Sequence, residues 1–242
     1  TMAKKVEGGW MLNGSKQFIT NADIAQFVVV WAQTVPGGGN KTLAAFIVDL
    51  PTAGLTVTKR EEKMGLHASH TDAFSMENVF VPDENLLSEV NKGFKMAMQV
   101  LNRSRIGIAA SCLGFIRRAM DESVKFSQQR KMFSGTLFEK DLTQQKLGKM
   151  AASLLMLKSF IYQVAWMVDQ GRDIRNEAAA AKYWATTLAF EAVNEAVQIH
   201  GGSGYMQDYF VEQLFRDVRA YPLFEGANEV QLFTIAKSLI KD

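Results

Sequence analysis

Cysteine, histidine and proline are scarce in this chain, which has one Cys, three His and four Pro among its 242 residues. The single cysteine, Cys112, excludes an intramolecular disulfide framework and is typical of a reducing compartment. It lies in an apolar helical pattern, so a small buried hydrophobe is a better interpretation than a reactive thiol. His67 and His70 have no acidic or cysteine partner at ligand spacing. We therefore interpret them as polar loop residues and predict no metal site.

Neither sign of charge dominates the composition. The 27 basic and 25 acidic residues give a formal net charge of +2, which is no reason to expect a nucleic-acid partner. We find no signal-peptide pattern and no apolar run long enough to span a bilayer, so we predict no membrane span. The length and the 48% hydrophobic content are instead sufficient for a sizeable core and two lobes.

Residues up to about Leu86 have the composition of β structure. Asn13-Gly14 lies between apolar positions and predicts a tight hairpin turn joining two short strands. Further strands are predicted over residues 26–34, 43–48, 55–58 and 73–81. Together they predict an antiparallel sheet, a barrel or a sandwich, that ends at Pro82.

From about Asn91 the apolar period becomes that of α-helices. Three long apolar stripes span residues 94–124, 150–168 and 181–199. A shorter helix from about Glu225 to Ile240 would bury Val230, Phe233 and Ile240. Four helices with one apolar stripe each predict an antiparallel four-helix bundle. The chain is therefore predicted to be α+β, with a partial β domain over residues 1–88 and a C-terminal bundle domain over residues 89–242.

The stretch from Tyr221 to Gln231 has the strongest chemical signal. The carboxylate of Glu225 follows an aromatic residue, Phe224, and precedes a flexible Gly226. In the first turn of the last helix, beside apolar neighbours, this carboxylate could act as a proton acceptor. Acidic residues also favour helix starts for structural reasons alone, so both interpretations stay open at this point.

Three other segments end predicted elements with polar or aromatic groups. Residues 18–21 end a strand, residues 130–133 end the first long helix, and residues 198–202 end the third. The glycines from Gly201 to Gly204 do not lie between a strand and a helix of a βαβ unit, so they are not a dinucleotide-binding fingerprint. They could form a helix cap and turn, or offer backbone N–H groups to a phosphate or cofactor.

Taken in order, these segments resemble the motifs of the acyl-CoA dehydrogenase family along essentially the whole chain. The matching motifs are Leu12-Asn-Gly-x-Lys16-x-x-Ile-Thr-Asn21, Met64-Gly65 with Ser69-x-Thr71 and Val79-Phe-Val-Pro82, Arg130-Lys-x-Phe133, Gln198-Ile-x-Gly-Gly-x-Gly204, Arg216-Asp217, and Glu225-Gly226 followed by Asn228-Glu-Val-Gln231. No single motif is decisive, but six in the right order are specific.

The resemblance implies an FAD-dependent flavoenzyme. Members have an N-terminal helical domain, a middle β domain and a C-terminal four-helix bundle. Since the first domain and the start of the second are missing here, we expect a fragment of a longer protein. Phe18 and Thr20 would lie against the isoalloxazine ring. The residues expected to reach the FAD of a neighbouring subunit, and hence to imply a homo-oligomer, either a tetramer or a dimer, are Arg130, Phe133, Gln198, Gly201 and Gly202.

The activity implied by the resemblance is α,β-dehydrogenation of an acyl-CoA thioester to the trans-2-enoyl-CoA. Glu225 would remove the α-proton while the β-hydrogen leaves as hydride to flavin N5. The Glu225 backbone N–H and a flavin ribityl hydroxyl would bind the thioester carbonyl. Ser104, Arg105, Phe224 and Gly226 would line the substrate site. Electrons would pass to an electron-transferring flavoprotein, in the bacterial cytoplasm or the mitochondrial matrix.

Some positions depart from the family pattern. Ala227 and Phe224 stand where Thr and Tyr are usual, and Asp141 stands where Gln is frequent. Some members have the base on the first bundle helix, but Ser104 occupies that position here, which favours Glu225. Two alternatives stay open, an acyl-CoA oxidase of the same fold and a homologue without catalytic activity.

Overall fold

The computed structural model describes residues 1–240 of the chain. Contacts divide it into two compact units, Thr1–Val100 and Leu101–Asp242. The division falls inside the first long helix rather than at the end of the β region. The boundary after residue 88 that we infer from the sequence stays a prediction of where the two kinds of fold meet.

The first unit is built on one six-stranded sheet. Its strands are β1 (Met2–Val6), β2 (Gly9–Thr20), β3 (Phe27–Gln33), β4 (Leu43–Asp49), β5 (Leu55–Arg60) and β6 (Thr71–Pro82). They lie in the order β4-β3-β1-β2-β6-β5. Strands β1 and β3 pair in parallel and the other neighbours pair antiparallel, so the sheet is mixed.

The predicted hairpin turn at Asn13-Gly14 is wrong. Strand β2 runs straight through this pair, and the turn lies earlier, between Val6 and Gly9. The Asn-Gly pair instead marks an irregularity in the β2–β6 pairing, where Gly14 has a φ of 133°. A positive φ suits glycine, because it has no Cβ, and the same feature that favours a turn therefore also suits a β-bulge.

The sheet curls around its own core. The rings of Trp10 on β2 and Phe46 on β4 have centroids 5.4 Å apart, although two strands separate β2 from β4 in the sheet. Alternate residues point inward most clearly on β3 and β6, where the buried positions are apolar apart from Asp72. The largest side chains in this core with almost no exposure are Leu12, Val30, Phe46, Phe74, Met76, Val79 and Val81.

Five α-helices follow the sheet in the part of the chain that the structure describes. They are α1 (Gly93–Gln129), α2 (Asp141–Asp169), α3 (Arg175–His200), α4 (Phe210–Val218) and α5 (Asn228–Lys237). The three long helices predicted from the apolar stripes are confirmed, and the short helix α4 was not predicted. In the second unit, α1, α2, α3 and α4 share one apolar core, to which α3 contributes alanines that allow close packing.

The predicted inward face of the last helix is wrong. Val230, Phe233 and Ile240 are 48%, 58% and 74% exposed, whereas Gln231 is fully buried. Helix α5 is only ten residues long and begins at Asn228, and its orientation follows the hydrogen bonds of Gln231 to the preceding turn. One buried amide therefore decides which side of this helix faces inward.

Helix α2 is long and apolar enough, by length and composition alone, to cross a membrane. The sequence had predicted no membrane span. One such helix is weak evidence for a span, because a core helix passes the same test. Leu147, Met150, Leu157 and Ile161 of α2 are buried in the core of the second unit.

Candidate active site

The turn before α5 holds Glu225 in an unusual backbone conformation. Its φ is 55°, in the left-handed region, and Gly226 follows with a φ of 87°. The predicted start of the helix at Glu225 is therefore wrong, since α5 begins three residues later. A left-handed conformation costs a residue with a Cβ about 1 kcal/mol or more, so surrounding contacts must hold it.

The Glu225 carboxylate is hydrogen-bonded on one side only. The Ser104 hydroxyl on α1 lies 2.7 Å from Glu225 Oε2 and 3.1 Å from the carbonyl oxygen of Leu101. A hydroxyl has one proton, and the shorter, charge-assisted bond to the carboxylate is the stronger. Within residues 1–240, Oε1 of Glu225 has no hydrogen-bond donor, which leaves that oxygen available to a ligand.

Two side chains bind the backbone of the same turn. Arg105 Nε lies 3.5 Å from the Glu225 carbonyl oxygen, and Gln231 Nε2 donates to the Gly226 carbonyl oxygen at 2.8 Å. Arg105 is almost fully buried and also donates to Asn102 Oδ1 at 3.0 Å. Burial lowers the pKa of Arg105, and the charge of Glu225 opposes this shift. The arginine is thus held between its own helix and the turn.

The backbone N–H of Glu225 has no acceptor in the part of the chain that the structure describes. Before it in the chain, the Phe224 N–H donates to the Ala220 carbonyl oxygen. After it, the next N–H with an acceptor is that of Asn228, which donates to Pro222. An amide in a half-buried turn without a partner is costly, unless a ligand accepts from it. This N–H and the free carboxylate oxygen belong to one residue.

Phe224 closes the apolar side of the turn. Its ring packs edge-on against Tyr221 with centroids 4.9 Å apart, and Tyr221 packs in the same way against Phe115 of α1. Burial raises the pKa of Tyr221, so the phenol stays neutral over a wide pH range. The aromatic chain joins the turn to α1 on one side, as Ser104 and Arg105 do on the other.

Lys182 on α3 also contacts this turn, and our reading of the sequence missed it. Its side chain is fully buried, and Nζ donates to the carbonyl oxygens of Pro222 at 3.1 Å and Gly226 at 2.9 Å and to Asn228 Oδ1 at 2.9 Å. The signal was a lysine inside the alanine-rich stripe of α3, where a charge is expensive unless it is fully paired.

The two histidines of the first unit lie among polar partners. His67 Nε2 is 2.8 Å from the carbonyl oxygen of Lys63, and His70 Nδ1 is 2.9 Å from Asp23 Oδ1 and close to Arg60. Among residues 1–240 there is no group of three or more His, Cys, Asp or Glu side chains placed to hold a metal ion.

Comparison with known sequences decides the family. Residues 1–79 match the profile described as acyl-CoA dehydrogenase, middle domain, and residues 91–240 match acyl-CoA dehydrogenase, C-terminal domain. The chain belongs to the acyl-CoA dehydrogenase family. The match confirms the predicted resemblance to the middle and C-terminal domains of that family.

Similar proteins of this family include both dehydrogenases and reductases. The chain is 42% identical over 241 residues to the 3-(aryl)acrylate reductase of Clostridium sporogenes, covering 100% of this chain and 64% of the relative. It is 38% identical to the caffeyl-CoA reductase-Etf complex subunit CarC of Acetobacterium woodii, covering 96% and 61%. It therefore spans under two thirds of the length of these relatives.

Solved structures show the same fold. Butyryl-CoA dehydrogenase from Megasphaera elsdenii superposes with a TM-score of 0.97 at 38% identity, covering 100% of this chain and 63% of that chain. The α+β architecture with a C-terminal helical domain is thus the acyl-CoA dehydrogenase fold, as the sequence predicts.

Family members are flavoproteins, and the residues predicted to contact FAD fit such a group. In the first unit, Phe18 is 67% exposed with a φ of 58°, and Thr20 is exposed two residues later. An exposed phenyl ring in a left-handed conformation gains nothing from its own chain. It is a surface on which a planar ring system can stack.

The predicted FAD contacts of the second unit are also exposed. Phe133 is completely exposed with a φ of 43°, and neither it nor the Arg130 guanidinium has a side-chain partner within residues 1–240. Gln198 is exposed at the end of α3, and a Cβ added to Gly201 or Gly202 would meet nothing within 4 Å. These groups are open to a ligand with phosphates and an aromatic ring. Arginine binds phosphate, and exposed backbone N–H groups can donate to it.

Proposed function

We propose that this protein catalyses FAD-dependent α,β-dehydrogenation of an acyl-CoA thioester to the trans-2-enoyl-CoA, with Glu225 as the base that removes the α-proton. The observation that supports this most strongly is the pairing, at one residue, of a carboxylate oxygen and a backbone N–H that both lack a partner in the described chain. The short-chain specific acyl-CoA dehydrogenase of Megasphaera elsdenii, 39% identical, supports the substrate class.

Each group of the turn has a separate task in this mechanism. An α C–H beside a thioester is a weak acid, so its removal needs a base and a donor for the charge that develops on the carbonyl oxygen. Glu225 Oε1 takes the proton, and the Glu225 N–H donates to the carbonyl oxygen. Ser104 holds the other carboxylate oxygen, Arg105 holds the turn, and Phe224 and Gly226 line the acyl site.

When bound, FAD supplies the acceptor for the hydride that leaves the β-carbon. The residues proposed to hold it are Phe18, Thr20, Arg130, Phe133, Gln198, Gly201 and Gly202. Electrons then pass to an electron-transferring flavoprotein, a proposal supported by the name of the CarC relative as a subunit of an Etf complex. Relatives from Bacillus subtilis and from mouse mitochondria are consistent with a bacterial cytoplasm or a mitochondrial matrix.

We also propose that the protein acts as a homo-oligomer, either a tetramer or a dimer. The Arg130 guanidinium and the Phe133 ring have no hydrogen-bond or ring partner in the described chain, as expected for side chains that reach a neighbour's cofactor. Helix α2 has a second, unburied apolar face, with Leu155 and Tyr162 70% and 66% exposed. A face of this kind is typical of an interface between subunits.

The base is tested by Glu225→Gln in the FAD-loaded full-length protein. Anaerobic mixing with a panel of acyl-CoAs should bleach the flavin of the wild type, whereas the variant should keep its FAD and show no bleaching. Glu191→Gln, at an exposed position on α3, is the matched control and should bleach normally. Bleaching of the Glu225→Gln flavin by any acyl-CoA would rule out Glu225 as the base.

The reverse reaction is a second candidate, favoured by the two reductases among the similar proteins. The same groups serve both directions, because a protonated Glu225 can return its proton to the α-carbon of an enoyl thioester. If reduction is the working direction, photoreduced protein mixed with cinnamoyl-CoA without oxygen should regain its flavin absorbance, whereas oxidised protein mixed with 3-phenylpropionyl-CoA should not be bleached. Rapid recovery in air alone would instead indicate the oxidase alternative.

A further inference from the structure

A fully buried lysine lies beneath the turn that holds Glu225. Lys182 extends from α3, and its Nζ is surrounded by three oxygens, those of Pro222, Gly226 and Asn228, at 2.9–3.1 Å. Two of the three are backbone carbonyls that flank Glu225 on either side. The lysine therefore contacts the backbone of the turn, and within residues 1–240 its Nζ donates to no carboxylate.

The three acceptors use every donor of the charged form of the lysine. An ammonium group has three N–H donors and no acceptor, so each of the three oxygens receives one hydrogen bond from it. Each oxygen also has a second donor, which is the Asn228 N–H for Pro222, Gln231 Nε2 for Gly226 and the Thr186 hydroxyl for Asn228. A neutral amine has two N–H donors, and its lone pair would face one of the oxygens and repel it. Loss of one proton thus replaces one of the three lysine contacts to the turn by a repulsive one.

Burial disfavours the charge on Lys182, although three oxygens bind it. The net pKa of Lys182 is lowered to about 8, because burial, the largest cause, and Arg105 of α1 lower it more than an ionised Cys112 of α1 and the carboxylates Glu229 and Glu225 raise it. The Cys112 thiol has its own pKa raised to about 12 by burial, so it is uncharged near pH 8. Lys182 therefore loses its charge around pH 8, within the pH range in which the activity can be measured.

We propose that the charged form of Lys182 is the positioning group that keeps Glu225 in its left-handed conformation, so that loss of this charge releases the turn and switches off proton abstraction. The inference rests on the proposed role of Glu225 as base. Lys182 acts through the backbone of the turn and does not itself touch the substrate.

Loss of the Lys182 proton is expected to lower the activity but to raise the free energy of unfolding. A lysine with a lowered folded pKa binds fewer protons in the native than in the unfolded protein between the two pKa values. Its contribution to the free energy of unfolding therefore rises with pH from about 8 to the ordinary lysine value near 10.5. Since this contribution increases the stability as the pH rises, the titration of Lys182 does not lower the activity through general destabilisation of the fold.

The first test is the pH profile of the anaerobic flavin-bleaching rate between pH 6 and 10 in the FAD-loaded full chain. The wild type should lose rate above about pH 8. Asn228→Asp places a carboxylate where the amide oxygen now lies 2.9 Å from Nζ, and should move the midpoint of this loss upward by roughly 1–3 pH units. Asn194→Asp, at an exposed position on α3, is the control and should leave the midpoint unchanged. Equal midpoints in Asn228→Asp and the wild type would overturn the proposal.

The second test needs no turnover. Lys182→Met should increase hydrogen exchange in the peptide that covers residues 221–229, measured by mass spectrometry and corrected for intrinsic rates, while Lys149→Met, an exposed control, should not. At pH 7 the bleaching rate of Lys182→Met should fall on the order of 100-fold. Its acyl-CoA affinity should change little, because the change displaces the base and not the substrate. Unchanged exchange in Lys182→Met would refute the role of Lys182. If no acyl-CoA bleaches even the wild type, the proposed function fails, and the exchange result still decides whether Lys182 holds the turn.

Discussion

At the scale of single residues, the hydroxyl of Ser104 provides a direct prediction. It is the one side-chain donor to the Glu225 carboxylate within residues 1–240, at 2.7 Å. Ser104→Ala removes this bond without filling the space of the substrate. The bleaching rate at pH 7 should fall about tenfold, the equivalent of a hydrogen bond of roughly 1.4 kcal/mol.

The control for Ser104→Ala is Ser123→Ala on the same helix. The Ser123 hydroxyl donates to the helix carbonyl of Ala119 at 2.7 Å and lies about five turns further along α1, so its loss should leave the rate unchanged. A Ser104→Ala protein with the wild-type rate would show that the carboxylate is oriented by other groups.

The limits of sequence-based reasoning are clearest at Glu225. The motif identified this residue, and it also led us to expect Ser104 and Arg105 nearby, where the structure places them. Its backbone conformation was not predictable, because local propensity favours a helix start after Phe224. We propose that the left-handed φ depends on Arg105 of α1, 120 positions from Glu225, and on Lys182 of α3, 44 positions from Gly226. Such contacts leave no trace in the local sequence.

At the scale of elements, the helices were predictable where their apolar stripes are long and were not where a polar contact sets the orientation. The stripes of α2 and α3 supply the buried residues of the core, as their period predicts. In α5 the buried residue is Gln231, whose Nε2 bonds to Gly226 while its Oε1 has no partner among the described residues. Hydrophobicity alone points to the opposite face of that helix.

The start of α1 supplies an element-scale prediction. Gly93 lies so close to β4 that an added Cβ would be 2.8 Å from the Ala44 Cα, and its carbonyl oxygen accepts a hydrogen bond from Trp31 Nε1 at 3.1 Å. The carbonyl carbons of Ala44 and Leu43 would each be 2.9 Å away, and all three atoms are backbone atoms that cannot rotate away. Gly93→Ala should lower the free energy of unfolding by about 2 kcal/mol, measured by denaturant titration.

The matched substitution for Gly93→Ala is Gly148→Ala in the middle of α2. An added Cβ there would meet nothing within 4 Å, so it should raise the stability by roughly 0.5–1 kcal/mol. If Gly93→Ala were as stable as the wild type, the close approach of α1 to β4 would not exist in solution.

At the scale of the whole molecule, a charge placed on the exposed apolar face of α2 would have a different effect in each of three states of the protein. If the face is buried against a second copy, as we propose, a charge there must lose its water on assembly, which is costly. If it is exposed in a monomer, a charge costs little. If it meets a lipid surface, a charge weakens binding to vesicles and leaves the mass in solution unchanged.

Leu155→Glu decides between these states. The side chain is 70% exposed, so the fold should tolerate the change. The wild-type full-length protein should have a mass in sedimentation velocity that is a multiple of its chain mass, and Leu155→Glu should shift it toward smaller species.

Because Arg130 and Phe133 are proposed to hold a neighbour's FAD, the smaller species should also lose flavin absorbance. Gln26→Glu, at an exposed position in the first unit, should change neither quantity. A wild-type monomer that retains FAD would contradict both the oligomer and the proposed reach of Arg130 and Phe133 into a neighbouring subunit.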